Sequence, residues 1–296
     1  MIEFLQALGN PDVPFLKYAV IAGMLSSISF GVVGSYVVVK KITSIAGSIA
    51  HSVLAGIGLS LYLQGQHNVM WFTPILGAMI AAVFSACIIG FVSIYGKQRE
   101  DTIIGSVWAM GMALGVLFIS LTPTYVDPMS YLFGNILIIS RQELLFIAVL
   151  DVVVIFLGIF LYRQFLAVSF DEEFTRARGI NTTLYIMLLL LLTALSIVLL
   201  TTIVGIIMVI ALLTVPAAMA SLFSRRLWKI MIFAVLFTMV FTFFGTGISY
   251  VFDTPSGSTI ILFAGGVYIL GVIVKKAAGR VKKGGNKDRK GVREGY

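Results

Sequence analysis

The chain has 296 residues, of which 59% are hydrophobic and only 11% are charged, whereas about a quarter of a soluble domain is charged. This composition excludes a soluble protein, because so much apolar surface is hidden only in lipid. The net charge of +8 does not indicate nucleic-acid binding, because much of it lies in the tail at 275–293. The single cysteine, Cys87, excludes an intrachain disulfide and a thiolate metal cluster.

Nine apolar segments of spanning length follow one another, and no pattern of short alternating strands accompanies them, so helical spans are predicted. The predicted spans lie at about 15–39, 40–63, 71–95, 103–121, 143–162, two within 183–224 that divide near 201–205, 230–251 and 259–274. A shorter apolar piece within 122–140 cannot cross a bilayer of about 30 Å, so it is predicted to be re-entrant or interfacial.

The predicted fold class is therefore all-α, a polytopic transmembrane helical bundle. It forms one domain, 1–274, and is followed by a basic tail, 275–296, that is expected to be cytoplasmic and disordered.

Lysine and arginine collect on one side of the predicted spans. The loops on that side are at Lys40, Lys97, 163–178 and 225–229, and the basic tail joins them. The loops on the other side, at 64–70, 201–205 and 251–258, contain neither residue. The positive-inside rule places the basic side in the cytoplasm, and nine spans then put the N-terminus outside and the C-terminus inside. Arg141 departs from this pattern, and Lys17 lies near the outer edge.

One histidine, His51, lies inside the second span. A polar side chain at membrane depth usually faces a protein interior or a water-filled path. Small residues surround it, and Gly47 lies one turn earlier on the same helix face. Two interpretations are open: an imidazole offered to a passing metal ion, or a histidine hydrogen-bonded to a neighbouring helix.

A carboxylate, Asp151, is predicted near the middle of the fifth span. Such a group needs a partner, a water-filled cavity or a proton. It is interpreted either as a group that lines a pathway or as the partner of a hydroxyl on a neighbouring span, for which Thr193 and Thr242 are candidates.

The loop at 163–181 is the second informative stretch. Its acids precede its bases, in the order Asp171, Glu172, Glu173, Arg176, Arg178, and Gly179 follows them. This order suits a short helix, because acids favour the positive N-terminal end of the helix dipole and bases the C-terminal end, and Gly179 is a plausible C-cap. The loop is interpreted either as a helix that docks into a groove on a partner protein or as an ordinary charged loop.

The sequence contains no GxxxxGK[ST], HExxH or GxSxG motif. The chain is therefore predicted not to be an enzyme. If ATP drives its activity, the ATPase is expected to be a separate subunit.

Five blocks, in this order, carry a family resemblance: VVKKITSIAGSIAHSVLAGIGLSL, SYLFGNILIISRQEL, SFDEEFTRARGI, TTIVGIIMVIALLTVPAAMASLFSRRL and SYVFDTPSGSTIIL. From about residue 15 to 274 the chain resembles the permease subunits of ABC importers for zinc, manganese and iron, the ABC-3 family. The resemblance implies a type II permease fold, similar to the vitamin B12 importers, in a prokaryotic plasma membrane.

The same resemblance implies an assembly. Two permeases, either two copies or two paralogues, would surround a central path, with two cytoplasmic ATPase subunits that bind ATP and an extracytoplasmic metal-binding protein. It implies that 171–180 is the coupling helix that seats on the ATPase and that 131–136 is a re-entrant segment. No permanently bound cofactor is expected, because the divalent metal is the cargo.

This sequence departs from the family pattern at one position. Family members commonly carry an aspartate four residues before the histidine that matches His51, and here that residue is Gly47. Manganese prefers oxygen ligands, whereas imidazole suits zinc well. The loss is interpreted as a weaker transient site, as a ligand from elsewhere, with Asp151 as the candidate, or as a change of cargo.

Two other functions are kept open. An importer for an iron chelate or cobalamin would share the fold and would need a wide apolar cavity rather than His51. A secondary transporter driven by protons through Asp151 would need no ATPase.

Overall fold

The computed structural model describes residues 1–10, 14–96, 99–123, 131–132, 134 and 141–291. Within those ranges the regular secondary structure is entirely helical, as predicted. The helices are α1 (Ile2–Gly9), α2 (Pro14–Val39), α3 (Thr43–His67), α4 (Pro74–Tyr95), α5 (Glu100–Ser120), α6 (Arg141–Phe160), α7 (Tyr162–Phe170), α8 (Glu172–Ala177), α9 (Thr182–Val204), α10 (Ile206–Phe223), α11 (Leu227–Phe252) and α12 (Ser256–Gly291).

Nine of the described helices are long and apolar enough to cross a membrane, which confirms the predicted spans. The division of the long apolar run is also confirmed, because α9 ends and α10 begins at Gly205. Gly205 has φ 88° and ψ 155°, a backbone conformation that is essentially restricted to glycine. The long apolar run is therefore interrupted at Gly205, the residue whose lack of a side chain permits this conformation.

The centre of the bundle is formed by α2 and α3, whose spans are 72% and 78% buried. Helix α2 packs against α6, α10 and α11, whereas α3 packs against α4 and α5. Helix α9 packs against α4 and α3 and also contacts α10, so it joins the two groups. The last span is only 17% buried and lies at the periphery.

Small residues bring α3 very close to α4. A Cβ added to Gly56 would lie 2.0 Å from the backbone oxygen of Gly77, and one added to Gly77 would lie 2.2 Å from the oxygen of Gly56. Neither glycine leaves room for a methyl group, so the backbones are in direct contact. Small residues at the contact thus allow the two helices to pack this closely.

The charged loops meet at one end of the bundle, which we call the basic end. Lys40, after α2, pairs with Glu172 of α8, and Lys275 of α12 donates to the carbonyl of Leu222 in α10. Arg141, which departs from the predicted charge pattern, lies elsewhere: its Nε donates to the hydroxyl of Tyr18, at the start of α2, at 2.9 Å.

The predicted re-entrant segment at 122–140 lies mostly outside the described residues. Its single glycine, Gly134, is among the described residues. Gly134 has φ 59°, and a Cβ there would lie 2.3 Å from the carbonyl carbon of Val204. The backbone at Gly134 therefore lies directly on the α9–α10 junction.

The last helix is longer than predicted. Its apolar spanning part is Ser256–Ala277, but the helix continues to Gly291, where the sequence predicts disorder from residue 275. Lysine and alanine, which follow Val274 in this chain, are good helix formers, so the chain has no local reason to leave the helix at the membrane edge.

Candidate functional site

His51 is a buried side chain in the middle of α3. It is 9% exposed, and its ring stacks on the indole of Trp108 in α5, with centroids 4.5 Å apart and an angle of 8° between the planes. The indole Nε1 donates to the Sδ of Met112 at 3.1 Å, one turn further along α5. The aromatic stack therefore fixes one face of the imidazole.

The Nδ1 atom of His51 is buried and has no hydrogen-bond partner among the described residues. A buried polar atom without a partner is costly and is unusual in a native structure. The interpretation that His51 bonds to a neighbouring helix therefore finds no support at this atom, which is free to bind something else.

The space one helical turn before His51 is open. Gly47 is buried, yet a Cβ added there would meet nothing within 4 Å. The family pattern predicts a carboxylate at position 47. No other described side chain occupies its place. Room for a ligand is left on the face that carries His51.

Two hydroxyls of α3 hold the helix in register with α5. The Oγ of Ser48 donates to the carbonyl of Ile104 at 2.9 Å, and the Oγ of Ser52 donates to the carbonyl of Val107 at 3.3 Å as well as to Ser48 on its own helix at 2.8 Å. These bonds bracket His51, so they place its ring opposite Trp108 independently of the imidazole itself.

Asp151 lies on a different pair of helices from His51. Its Oδ1 accepts from the backbone N–H of Ser29 at 3.2 Å and from the Ser29 hydroxyl at 2.5 Å, which joins α6 to α2. Its Oδ2 is buried without a partner among the described residues. The hydroxyls that the sequence suggested, Thr193 and Thr242, donate instead to carbonyls of their own helices.

The described residues contain no group of three or more histidine, cysteine, aspartate or glutamate side chains that would hold a metal ion. His51 is therefore the buried ligand that α3 offers, with no cluster around it in the described part of one chain. A stable, resident metal site needs more ligands than one imidazole supplies.

The predicted short helix in the charged loop is confirmed as α8. Asp171 is its N-cap, and its carboxylate accepts from the N–H of Phe174 at 2.9 Å, a contact typical of helix N-termini. Glu172 and Glu173 lie in the first turn and Arg176 in the last. Gly179 follows with φ 80°, the conformation expected of a glycine that ends a helix.

The loop also presents aromatic groups to the outside. Phe170 is 64% exposed and Phe174 is 55% exposed. The guanidinium of Arg178 lies 4.6 Å from the ring centroid of Phe174, and the Nε of Arg176 donates to the Thr182 hydroxyl at 3.4 Å. The basic end therefore carries a short capped helix with exposed aromatic and charged side chains, and aromatic residues and arginine are enriched at protein interfaces.

Sequence reasoning missed the role of Lys40. In the sequence Lys40 marks only the end of a span. In the structure its Nζ donates to the carbonyl of Val168 at 3.0 Å and pairs with Glu172. No sequence signal connects two residues that are 132 positions apart. Only the folding of α7 and α8 back onto the α2–α3 turn brings them together.

The model of the ABC 3 transport family matches residues 12–275. The chain belongs to the ABC 3 transport family. This confirms the family resemblance read from the five sequence blocks. The family match covers eight of the nine spans completely and the apolar part of the ninth to within two residues of its end at Ala277.

Named relatives cover nearly the whole chain. A "probable metal transport system membrane protein" of Chlamydia trachomatis is 37% identical over 89% of this chain and 90% of its own length. The "manganese transport system membrane protein MntC" of Listeria monocytogenes is 34% identical over 84% of this chain and 87% of its own.

Two solved structures share the fold. The first is described as PsaBC from Streptococcus pneumoniae in complex with Fab; it is 28% identical and has a TM-score of 0.80, with 92% of this chain and 95% of that chain covered. The second is described as an inward-facing conformation of a metal-chelate type ABC transporter. It is 13% identical and has a TM-score of 0.70, with 87% and 85% covered. The ABC permease fold predicted from the sequence is thereby confirmed.

Proposed function

We propose that this chain is the membrane-spanning permease subunit of an ATP-driven importer that carries a divalent transition metal, Zn²⁺, Mn²⁺ or Fe²⁺, into the cytoplasm. The observation that carries the proposal is His51: a buried imidazole with an unpartnered Nδ1 beside an open space at Gly47. Family membership and the metal-transport names of two relatives support the same reading.

The orientation follows from charge. The basic end faces the cytoplasm under the positive-inside rule, which places the C-terminus inside and the N-terminus outside. Helix α8 then lies at the cytoplasmic surface, where we propose that it seats on an ATPase subunit through the side chains of Asp171, Glu172, Glu173, Arg176 and Arg178. ATP is bound and hydrolysed by two such partner subunits.

The metal is proposed to pass between two permeases. A single imidazole binds a divalent ion weakly, but a second copy, or a paralogue with the same helix, brings a second ligand to the path. Such a site holds its ion briefly and releases it, which suits a carrier. An extracytoplasmic metal-binding protein delivers the ion to the outer side.

The test of this function is elemental accumulation. A strain that lacks its own metal importers expresses the chain with its ATPase and extracytoplasmic binding protein and is starved of zinc, manganese and iron in turn. Accumulation of one of these metals that depends on the ATPase supports the proposal. If the wild-type chain accumulates none of the three, the proposal is wrong and a chelated cargo becomes the first alternative.

The chelate alternative would need a wide apolar path. An apolar cavity of about 580 Å³ does exist, but helices α2, α6 and α11 line it together with Tyr162. Two of its side chains, Ile159 and Ile232, are more than half exposed, so the cavity opens on the outside of the bundle. It contains no residue of α3, so it does not favour a chelate path beside His51.

Asp151→Asn separates the proposed function from a proton-driven transporter. Asparagine keeps the shape of the side chain and an oxygen that accepts from Ser29, so metal accumulation per folded protein is expected to stay close to that of wild type. A proton-driven carrier that used Asp151 would instead stop. Uptake by matched membrane amounts of the two proteins, with and without a protonophore, distinguishes the two mechanisms.

Gly47→Asp is expected to change which metal is carried. The added Cβ meets nothing within 4 Å, so the helix accepts the side chain, and the carboxylate lies one turn from His51. Because manganese prefers oxygen ligands, accumulation of Mn²⁺ relative to Zn²⁺ is expected to rise severalfold. Gly47→Ala is the matched control, because it fills the same space without a ligand. An unchanged metal ratio in Gly47→Asp would count against a pathway role for this face.

A further inference from the structure

Helix α8 is weakly anchored to the membrane bundle. It packs chiefly on α7 and α9, the helices that precede and follow it in the chain. A cavity of about 300 Å³ separates it from the α4–α5 end of the bundle; residues of α8, Glu172 and Arg176, line one side, and Ser93, Glu100 and Asp101 line another. Movement of α8 reaches the central helices through α7 and α9, to which it is joined, and through side-chain contacts at its start.

Lys40 provides such a contact. Its side chain is 12% exposed, and its ammonium group lies between the end of α7 and the start of α8, where it donates to the Val168 carbonyl at 3.0 Å and pairs with the Glu172 carboxylate. The carbonyl belongs to the last turn of α7, where such groups lack a partner within their helix. One cation thus holds two helices of the charged loop.

The turn that carries Lys40 is short and fixed. Lys41 has φ 63°, its N–H donates to the carbonyl of Val38 at 3.1 Å, and the N–H of Ile42 donates to Val37 at 2.9 Å. These two hydrogen bonds, together with the left-handed conformation of Lys41, form a Schellman motif, which fixes the end of α2. Helix α3 begins directly afterwards, at Thr43.

The same helix carries His51. At a rise of about 1.5 Å per residue, His51 lies about 12 Å along α3 from Thr43. Because the turn is fixed, a displacement of Lys40 moves the first turn of α3 with it. The contact between Lys40 and Glu172 therefore connects the proposed ATPase-docking helix to the helix that carries the proposed metal ligand.

We propose that Lys40 is the positioning residue that transmits the movement of α8 to α3, so that ATP hydrolysis on the partner subunit is converted into opening of the metal path. This inference rests on the proposed function. Lys40 touches neither the metal nor the ATPase; it acts through Glu172 and Val168. Its removal is expected to uncouple metal movement from ATP hydrolysis, while the ATPase stays bound and active.

The test reconstitutes the purified permease–ATPase complex in liposomes and measures ATP hydrolysis and metal uptake in the same sample, with extracytoplasmic binding protein loaded with Mn²⁺, Zn²⁺ or Fe²⁺. In Lys40→Met, metal moved per ATP hydrolysed is expected to fall about tenfold, within the usual range of coupling free energies. The ATPase stays bound and hydrolyses ATP at about the wild-type rate, because α8 keeps its own cap at Asp171.

Three variants check that the effect belongs to the pair. Lys40→Arg keeps both contacts and is expected to keep coupling. Glu172→Gln is expected to lower the metal moved per ATP hydrolysed as Lys40→Met does, and binding of the ATPase is measured beside it because Glu172 also belongs to the proposed docking helix. The double variant is expected to be no worse than Glu172→Gln alone, because two residues that act through one contact are not additive. Lys41→Met is the matched control: it removes the same charge from the adjacent, exposed position, where a charge contributes little.

Each outcome of these measurements bears on the inference in a different way. If uptake per ATP in Lys40→Met equals that of wild type, the inference is overturned while the proposed function stands. If the ATPase dissociates from Lys40→Met, or if Lys41→Met uncouples equally, Lys40 seats the helix or sets the surface charge and the inference is also overturned. If the wild-type complex carries none of the three metals, the proposed function fails and the inference fails with it.

Discussion

His51→Ala is expected to lower accumulation of the carried metal by about tenfold or more, the size of effect typical when a ligand or its support is removed from a metal site. Alanine deletes the buried imidazole whose Nδ1 has no partner among the described residues. The change should leave the bundle intact, because the bonds of Ser48 and Ser52 to α5 do not involve the ring. The loss is therefore expected in transport and not in the amount of folded protein.

The measurement is uptake of the metal that wild type carries, by cells that contain equal amounts of each variant in the membrane. The chain supplies its own control, because it has only one other histidine, His67. That residue is exposed at the end of the same helix, so His67→Ala is expected to transport normally. Undiminished uptake by His51→Ala would show that the imidazole is structural and that the path uses other groups.

Gly56→Ala is expected to be the most damaging single-methyl change in the described helices of this site. The new Cβ would lie 2.0 Å from the Gly77 oxygen and 2.4 Å from the Gly77 carbonyl carbon. Both contacts are with backbone, which cannot rotate away as a side chain can, so α3 and α4 must separate. Overpacking of this kind costs about 1–3 kcal/mol or more, and the two-sided backbone contact places Gly56→Ala at the upper end.

Thermal unfolding of the purified protein in detergent, together with the fraction recovered as a single species, measures this effect. Gly47→Ala serves as the control on the same helix, because the identical methyl group there meets nothing within 4 Å. Alanine is also a better helix former than glycine by about 1 kcal/mol, so Gly47→Ala is expected to be neutral or stabilising. Equal stability of the two variants would contradict the close approach of α3 and α4.

His51, Gly56 and Lys40 have different roles in the proposed mechanism. In the proposed mechanism His51 binds the ion, Gly56 allows its helix to pack against α4, and Lys40 connects the start of that helix to α8. The three variants are therefore expected to differ in what they lose: His51→Ala loses metal accumulation, Gly56→Ala loses stability, and Lys40→Met moves less metal per ATP hydrolysed.

The sequence predicted some local features because each depends on a few neighbouring residues. Acids that precede bases, together with Gly179, predict helix α8. The sequence also predicts the α9–α10 break near 201–205. The partner of Asp151 was not foreseen: two threonines were suggested, and the structure shows Ser29. A carboxylate in an apolar helix indicates that a partner is needed. The sequence does not identify the helix that supplies this partner.

What the sequence by itself determined is the class of the protein and the number of its spans. In lipid every backbone polar group must be bonded within the chain, so apolar segments of this length fold as helices. The tertiary structure alone decided which faces meet. In helices such as α2 and α9 the few polar residues are not gathered on one face, so these helices carry no polar stripe from which their packing could be read. The pairing of Lys40 with Glu172, the stack of His51 on Trp108 and the contact of Gly56 with Gly77 are therefore products of packing.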